Sequence, residues 1–124
     1  MKIKFMIFAL LTFVTTAVLA TPKPSMCPST QSIATISSFE KLTYGPHMSG
    51  WTAYTHGNFN TQNTWEFAVT HIIAVEEDDA IREAKTALAT MVFVMGPVSL
   101  DHKTWQCWYR ATENRIYGIA SVYS

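Results

Sequence analysis

Two cysteines, Cys27 and Cys107, stand near opposite ends of a 124-residue chain, and a bond between them encloses the 79 residues from Pro28 to Gln106. Whether they pair depends on where the chain resides, and the N-terminus bears on that. Lys2 and Lys4 precede an apolar run from Phe5 to Val14 that only Thr12 interrupts, and Val18-Leu19-Ala20 offers the small side chains that signal peptidase reads. The pattern predicts a signal peptide over residues 1–20. A retained anchor is the alternative, although the run is short for a membrane span and Thr15-Thr16 follow it. Export to the periplasm or the cell exterior places both thiols in an oxidising compartment, where two cysteines in one small domain pair. Closing so long a loop removes roughly 4 kcal/mol of unfolded-state entropy, comparable with the whole stability of a small domain. The rival reading is a reactive thiol served by one of the four histidines.

Composition limits the rest. Without the predicted signal peptide the chain carries seven Lys and Arg against nine Asp and Glu, with no basic cluster to track phosphates, which argues against nucleic-acid binding. Beyond residue 20, the longest apolar-rich stretch, Ala87 to Val98, is too short to cross a bilayer as a helix. One domain over residues 27–124 is expected, behind a short tether at 21–26 with two prolines.

Within that domain, Cys27-Pro28-Ser29 reads as a helix start, with Ile33 and Ile36 on the buried side and an end before Gly45-Pro46. Strand patterns follow at 50–56 and 64–74. In the second, Trp65, Phe67, Val69, His71 and Ile73 alternate along one face, and the Asn-rich run 57–63 makes the connecting loop. Glu76-Glu77-Asp78-Asp79 then opens a helix on which Ile81, Ala84, Leu88 and Met91 recur, with Asp78 and Arg82 placed for an ion pair. A metal site is the other reading of the four acids. Gly96-Pro97 is expected to end the regular structure. Two more strand patterns, 104–111 and 115–123, flank a turn at 112–114, and Glu66 is expected to oppose Arg110 in the sheet. The two halves repeat at an offset of about fifty residues, with Gly45-Pro46 before Trp51 and Gly96-Pro97 before Trp105. The expected fold is α+β: α-β-β-α-β-β, a four-stranded antiparallel sheet with both helices on one face, stapled by Cys27–Cys107.

Such a sheet leaves one face without helices, and its alternating residues include Tyr54, Trp108, Tyr117 and Tyr123, with Arg110 and His56 nearby. These aromatics form a binding surface or merely shield the sheet. No nucleophile elbow, zinc-protease motif or phosphate loop occurs, so a binding protein is favoured over an enzyme.

Taken together, Cys27-Pro28, Trp51, Trp65-Glu66-Phe67, the alanine-rich helix, Gly96-Pro97 and Trp105-Gln106-Cys107-Trp108-Tyr109 resemble the small secreted proteins of Legionella-type bacteria. That family is of unknown function, and one member bears the name hemin-binding protein. The resemblance implies non-covalent hemin, or another flat apolar ligand, and brings no ligand residues with it. The residues themselves offer candidates for an axial ligand and a neighbouring cation: Tyr44, His47 and Met48 in one loop, and His102 beside Lys103 in the corresponding loop of the second half. Solvated loop side chains are the plainer reading of both sets. The alternative function is a protein-interaction module, an inhibitor or host-surface binder, that uses the aromatic sheet face.

Overall fold

The computed structural model describes residues 22–45, 50–99, 101, 103–113 and 115–123. The expected signal peptide, His47, Met48 and His102 lie outside the described residues. Among the described residues eight elements occur in order: α1 (Thr30–Ile33), β1 (Lys41–Gly45), β2 (Gly50–Gly57), β3 (Trp65–Ile72), α2 (Glu77–Leu88), β4 (Met91–Ser99), β5 (Thr104–Ala111) and β6 (Tyr117–Tyr123). The strands form one antiparallel sheet of six in the order β1-β2-β3-β6-β5-β4.

The four-stranded α-β-β-α-β-β expectation is therefore corrected to α-β-β-β twice over, each half contributing one more strand. The two halves meet where their third strands pair, with Phe67 opposite Ala120 and Val69 opposite Gly118. Both missed strands occupy places that read as helix tails. The first helix, expected to run almost to Gly45, stops at Ile33 because Thr35, Ser37-Ser38 and the extended formers Thr43-Tyr44 give it little to propagate on. The second stops at Leu88, and Met91-Val92-Phe93-Val94 leaves as a strand, although Met91 still falls on the helical spacing.

Gly96-Pro97 likewise does not end regular structure, since β4 continues through it to Ser99 with irregular pairing. Gly96 has φ +135°, and a Cβ there would lie 2.7 Å from the Gln106 carbonyl oxygen, so only glycine lets β4 pass this close to β5.

Helix α2 starts on Glu77, Asp78 and Asp79, which complement the partial positive charge of its first turn. Arg82 pairs with Asp79 and not, as expected, with Asp78. The helix buries Ala80, Ala84, Ala87 and Leu88 over β2 and β3, small side chains that allow a close approach. Helix α1 is only one turn long, capped by Ser29 Oγ accepting from the Ser32 N–H at 3.1 Å, and it packs beside β4. Each half thus lends its helix to the strands of the other, and both helices contribute to one core on the same face of the sheet.

So short a helix cannot cover β4 and β5 alone, and the segment before it supplies the remainder. Three side chains on one face of β5 each meet that segment in turn. Lys23 Nζ stands 5.8 Å over the Trp105 ring, Cys27 bonds Cys107 with Cα atoms 5.9 Å apart, and the Tyr109 hydroxyl donates to the Pro28 carbonyl. Pro24, in the expected tether, is buried. Both cysteines are consumed by this bond, so no free thiol remains for the nucleophile reading.

Trp65, Phe67, Val69, Ile72, Cys107 and Tyr109 form the centre of the core. The rings of Phe67 and Tyr109 meet edge-on at 5.8 Å across β6. Gly118 clears that space, because a Cβ on it would lie 2.7 Å from the Phe67 ring.

Candidate binding face

Among the described residues no helix lies on the opposite face of the sheet. Cross-strand register places Lys41 beside Tyr54, Tyr54 beside Ala68, Ala68 beside Ile119, Ile119 beside Trp108, and Trp108 beside Met95. One row therefore crosses all six strands. Its five interstrand steps of ~4.8 Å make it about 24 Å wide. Tyr54, Ala68, Ile119 and Trp108 are each half-buried, and Lys41 closes the row at one edge with its ammonium 5.7 Å over the Tyr54 ring.

A polar row lies on one side: His56, Glu66, Ser121 and Gln106, then Val98. Gln106 Oε1 accepts from the Trp108 indole N–H at 3.2 Å, which satisfies the polar edge of the ring and leaves its apolar surface for contact. On the other side run Thr43, Thr52, Thr70, Tyr117, Arg110 and Val92, with the Thr52 and Thr70 hydroxyls 3.0 Å apart. The expectation that Glu66 opposes Arg110 is corrected by this register: Glu66 faces His56 and Ser121, while Arg110 lies between Tyr117 and Val92.

At the β4 edge the apolar character intensifies. Val92, Phe93, Val94 and Met95 are 36–52% exposed; Val92 and Met95 extend the open face beside Arg110 and Trp108, whereas the Phe93 ring turns to the helix side, 5.7 Å from that of Tyr109. Pairing with β5 slips between Phe93 and Met95 and again between Met95 and Val98. Those irregularities and Pro97 blunt the edge against backbone pairing, so contact there falls to the side chains.

His71, expected to share a face with Trp65 and Phe67, instead has φ +66°. It sits in an irregular stretch where Val69 opposes Ala53 and Ile72 opposes Trp51, so β3 carries one extra residue. Ile72 takes the core position, and the His71 ring meets Tyr117 of the open face edge-on at 5.2 Å with Nδ1 buried and unpartnered.

Of the proposed ligand residues, Tyr44 is exposed at the end of β1, its ring 5.2 Å from Trp51 and edge-on to it. Trp51 is fixed by its indole N–H donating to the Ala74 carbonyl at 2.9 Å. The loop of His47 and Met48 joins Gly45 to Gly50, and the loop of His102 joins Ser99 to Thr104. Those strand ends lie at diagonally opposite corners of the sheet, so Tyr44 and the loop carrying His102 are not brought together. The equivalence of the two loops under the repeat is what separates them. No enclosed cavity opens among the described residues, and no three of their His, Cys, Asp or Glu side chains converge on one point. No helix among them is long and apolar enough to cross a membrane.

Sequence reasoning did not foresee a cluster at the edge of this face. Glu40, just before β1, accepts the His56 backbone N–H at 2.9 Å, the Thr55 hydroxyl at 3.3 Å and the imidazole Nδ1 of His56 at 3.1 Å. These bonds, the backbone one foremost, hold its carboxyl below the usual value. Counting outward from the 57–63 loop would have put His56 opposite Glu66, but nothing local brings in Glu40. Comparison with protein-family profiles, curated proteins and solved structures finds no match to this chain.

Proposed function

We propose that the chain is an exported binding protein that engages a protein partner through its open sheet face. The carrying observation is the row from Tyr54 to Met95, half-exposed across the sheet and running into the exposed side chains of β4. Contiguous apolar surface of this kind, rimmed by polar residues, is characteristic of interaction sites. A strip about 24 Å wide, with no enclosed cavity among the described residues, suits the broad contact made by a protein better than the concave enclosure of a small molecule. Export rests on the N-terminal pattern of residues 1–20 and accords with the disulfide. The test is a photo-crosslinking residue placed at Met95 or, as control, at Glu83 on the exposed side of α2, in the producing cells. A discrete adduct from position 95 and none from position 83 supports the reading. Equal yields, or no adduct from either, overturn it.

A second reading, hemin binding, is favoured by the exposed phenol of Tyr44 beside Trp51, two residues before the loop that carries His47 and Met48. This corner supplies an oxygen ligand and an aromatic wall, which fit a flat iron porphyrin, and the family resemblance points the same way. Hemin titration of the oxidised protein should then give a saturable Soret band that Tyr44→Ala or His47→Ala removes. A spectrum no different from that with an unrelated protein excludes it.

A further inference from the structure

Charge is distributed unevenly over the open face. On one flank of the apolar row His56 lies between two acids, with Nδ1 3.1 Å from the Glu40 carboxylate and Nε2 3.7 Å from that of Glu66. Two carboxylates against one imidazole leave this flank net negative whether or not the ring is protonated. On the other flank stands Arg110, exposed and paired with no carboxylate among the described residues. Lys41, at the edge of the row, is already engaged by the Tyr54 ring.

Arg110 and Glu66 cannot meet within one copy. Arg110 shares a row with Tyr117 and Thr70, and Thr70 lies four residues along β3 from Glu66. Two interstrand steps of ~4.8 Å and four residues of ~3.4 Å set Arg110 and Glu66 about 17 Å apart, too far for their side chains to touch. The midpoint of the line between them falls at Ile119, one of the two central positions of the apolar row. A twofold axis that runs along the face through Ile119, perpendicular to that line, therefore carries Arg110 of each copy over Glu66 of the other. An isologous contact needs this kind of patch, because each copy has to supply both halves of every pair.

We propose that the partner of the open face is a second copy of this chain, packed face to face about that axis, with Ile119 against Ile119 at the centre and an Arg110–Glu66 pair on either side. This rests on the reading of the face as a protein interface and names its occupant. The strands of the two copies cross steeply, as in orthogonally packed sheets. The three rows cover roughly 600 Å², so a dimer buries about 1,200 Å² in all, the lower end of the range for specific interfaces. The charge pairs set the register of the two copies, and the apolar row supplies the contact between them.

The experiment is sedimentation velocity of the oxidised protein over a range of concentrations. The wild type should show a monomer–dimer equilibrium. Arg110→Glu and Glu66→Arg each bring like charges together at both pairs and should weaken self-association by about tenfold or more. An equimolar mixture of the two variants restores opposite charges at both pairs and should dimerise to within about threefold of the wild type. Recovery in the mixture also shows that both variants are folded. The proposal is overturned if the wild type is still monomeric at about 100 μM, if either variant dimerises as the wild type does, or if the mixture does not recover. A monomeric wild type that still gives a discrete adduct from position 95 leaves the interface reading standing with a different protein as partner, whereas no adduct from that position strikes the interface reading itself.

Discussion

Replacing both cysteines by serine should cost far more than two side chains suggest. The bond joins residues 80 positions apart, so the chain-entropy relation gives about 15 cal/mol/K, or about 4.5 kcal/mol at 25 °C. Native-state losses add to this, because the bond anchors the segment that meets Trp105 and Tyr109, and α1 is too short to cover β4 and β5 in its place. The stability of a domain this size is only ~5–15 kcal/mol. The double variant should therefore unfold at much lower urea than the oxidised wild type, or be unfolded without denaturant. The assay is equilibrium urea unfolding of both proteins, followed by tryptophan fluorescence and circular dichroism. A loss below about 1 kcal/mol would refute the reasoning, since it would mean that the segment holds its place without the bond.

The packing yields three further expectations. Gly118→Ala forces a methyl toward the Phe67 ring and should destabilise by about 1–3 kcal/mol, read as a lower urea midpoint at unchanged slope. Tyr109→Phe strips the buried Pro28 carbonyl of its donor and should cost about 1–3 kcal/mol by the same assay. Burial pushes the Tyr109 hydroxyl well above its ordinary value of 10. The resulting stability is complete below pH 10 and declines as pH rises from there toward the folded-state value, by up to about 1.4 kcal/mol per pH unit. Tyr109→Phe should lack this part of the alkaline decline, and an identical pH profile for the two proteins would contradict it.

Four of the six strands are legible in the sequence because each has one buried face, which imposes alternation: Trp65, Phe67 and Val69 on β3, Trp105, Cys107 and Tyr109 on β5. The two edge strands lack that constraint. Val92 to Met95 is exposed at every position, so no period of two marks β4, and Met91 completes the helical spacing of Leu88. β1 is five residues long and comes after a Ser-rich stretch that has no period at all. Alternation alone places Tyr54, Trp108 and Tyr117 on the open face, and the register agrees. For His71 alternation fails, because one inserted residue in β3 reverses the face of the residues beyond it, and nothing in the immediate sequence announces the insertion. The cluster of Glu40, His56 and Glu66 depends on pairing between segments far apart in the chain, which is a tertiary fact. The disulfide is legible because it requires only that two thiols meet outside the cytosol.

The open face exists only if both helices and the N-terminal segment lie on one side of the sheet and leave the row on the other side uncovered. Residue-resolved carbene footprinting of the oxidised protein tests this directly. Trp108, Tyr54, Ile119 and Met95 should be labelled, while Trp65, Phe67 and Tyr109 should be protected. Equal protection of the two sets would mean that the row is covered, and would contradict a binding surface there.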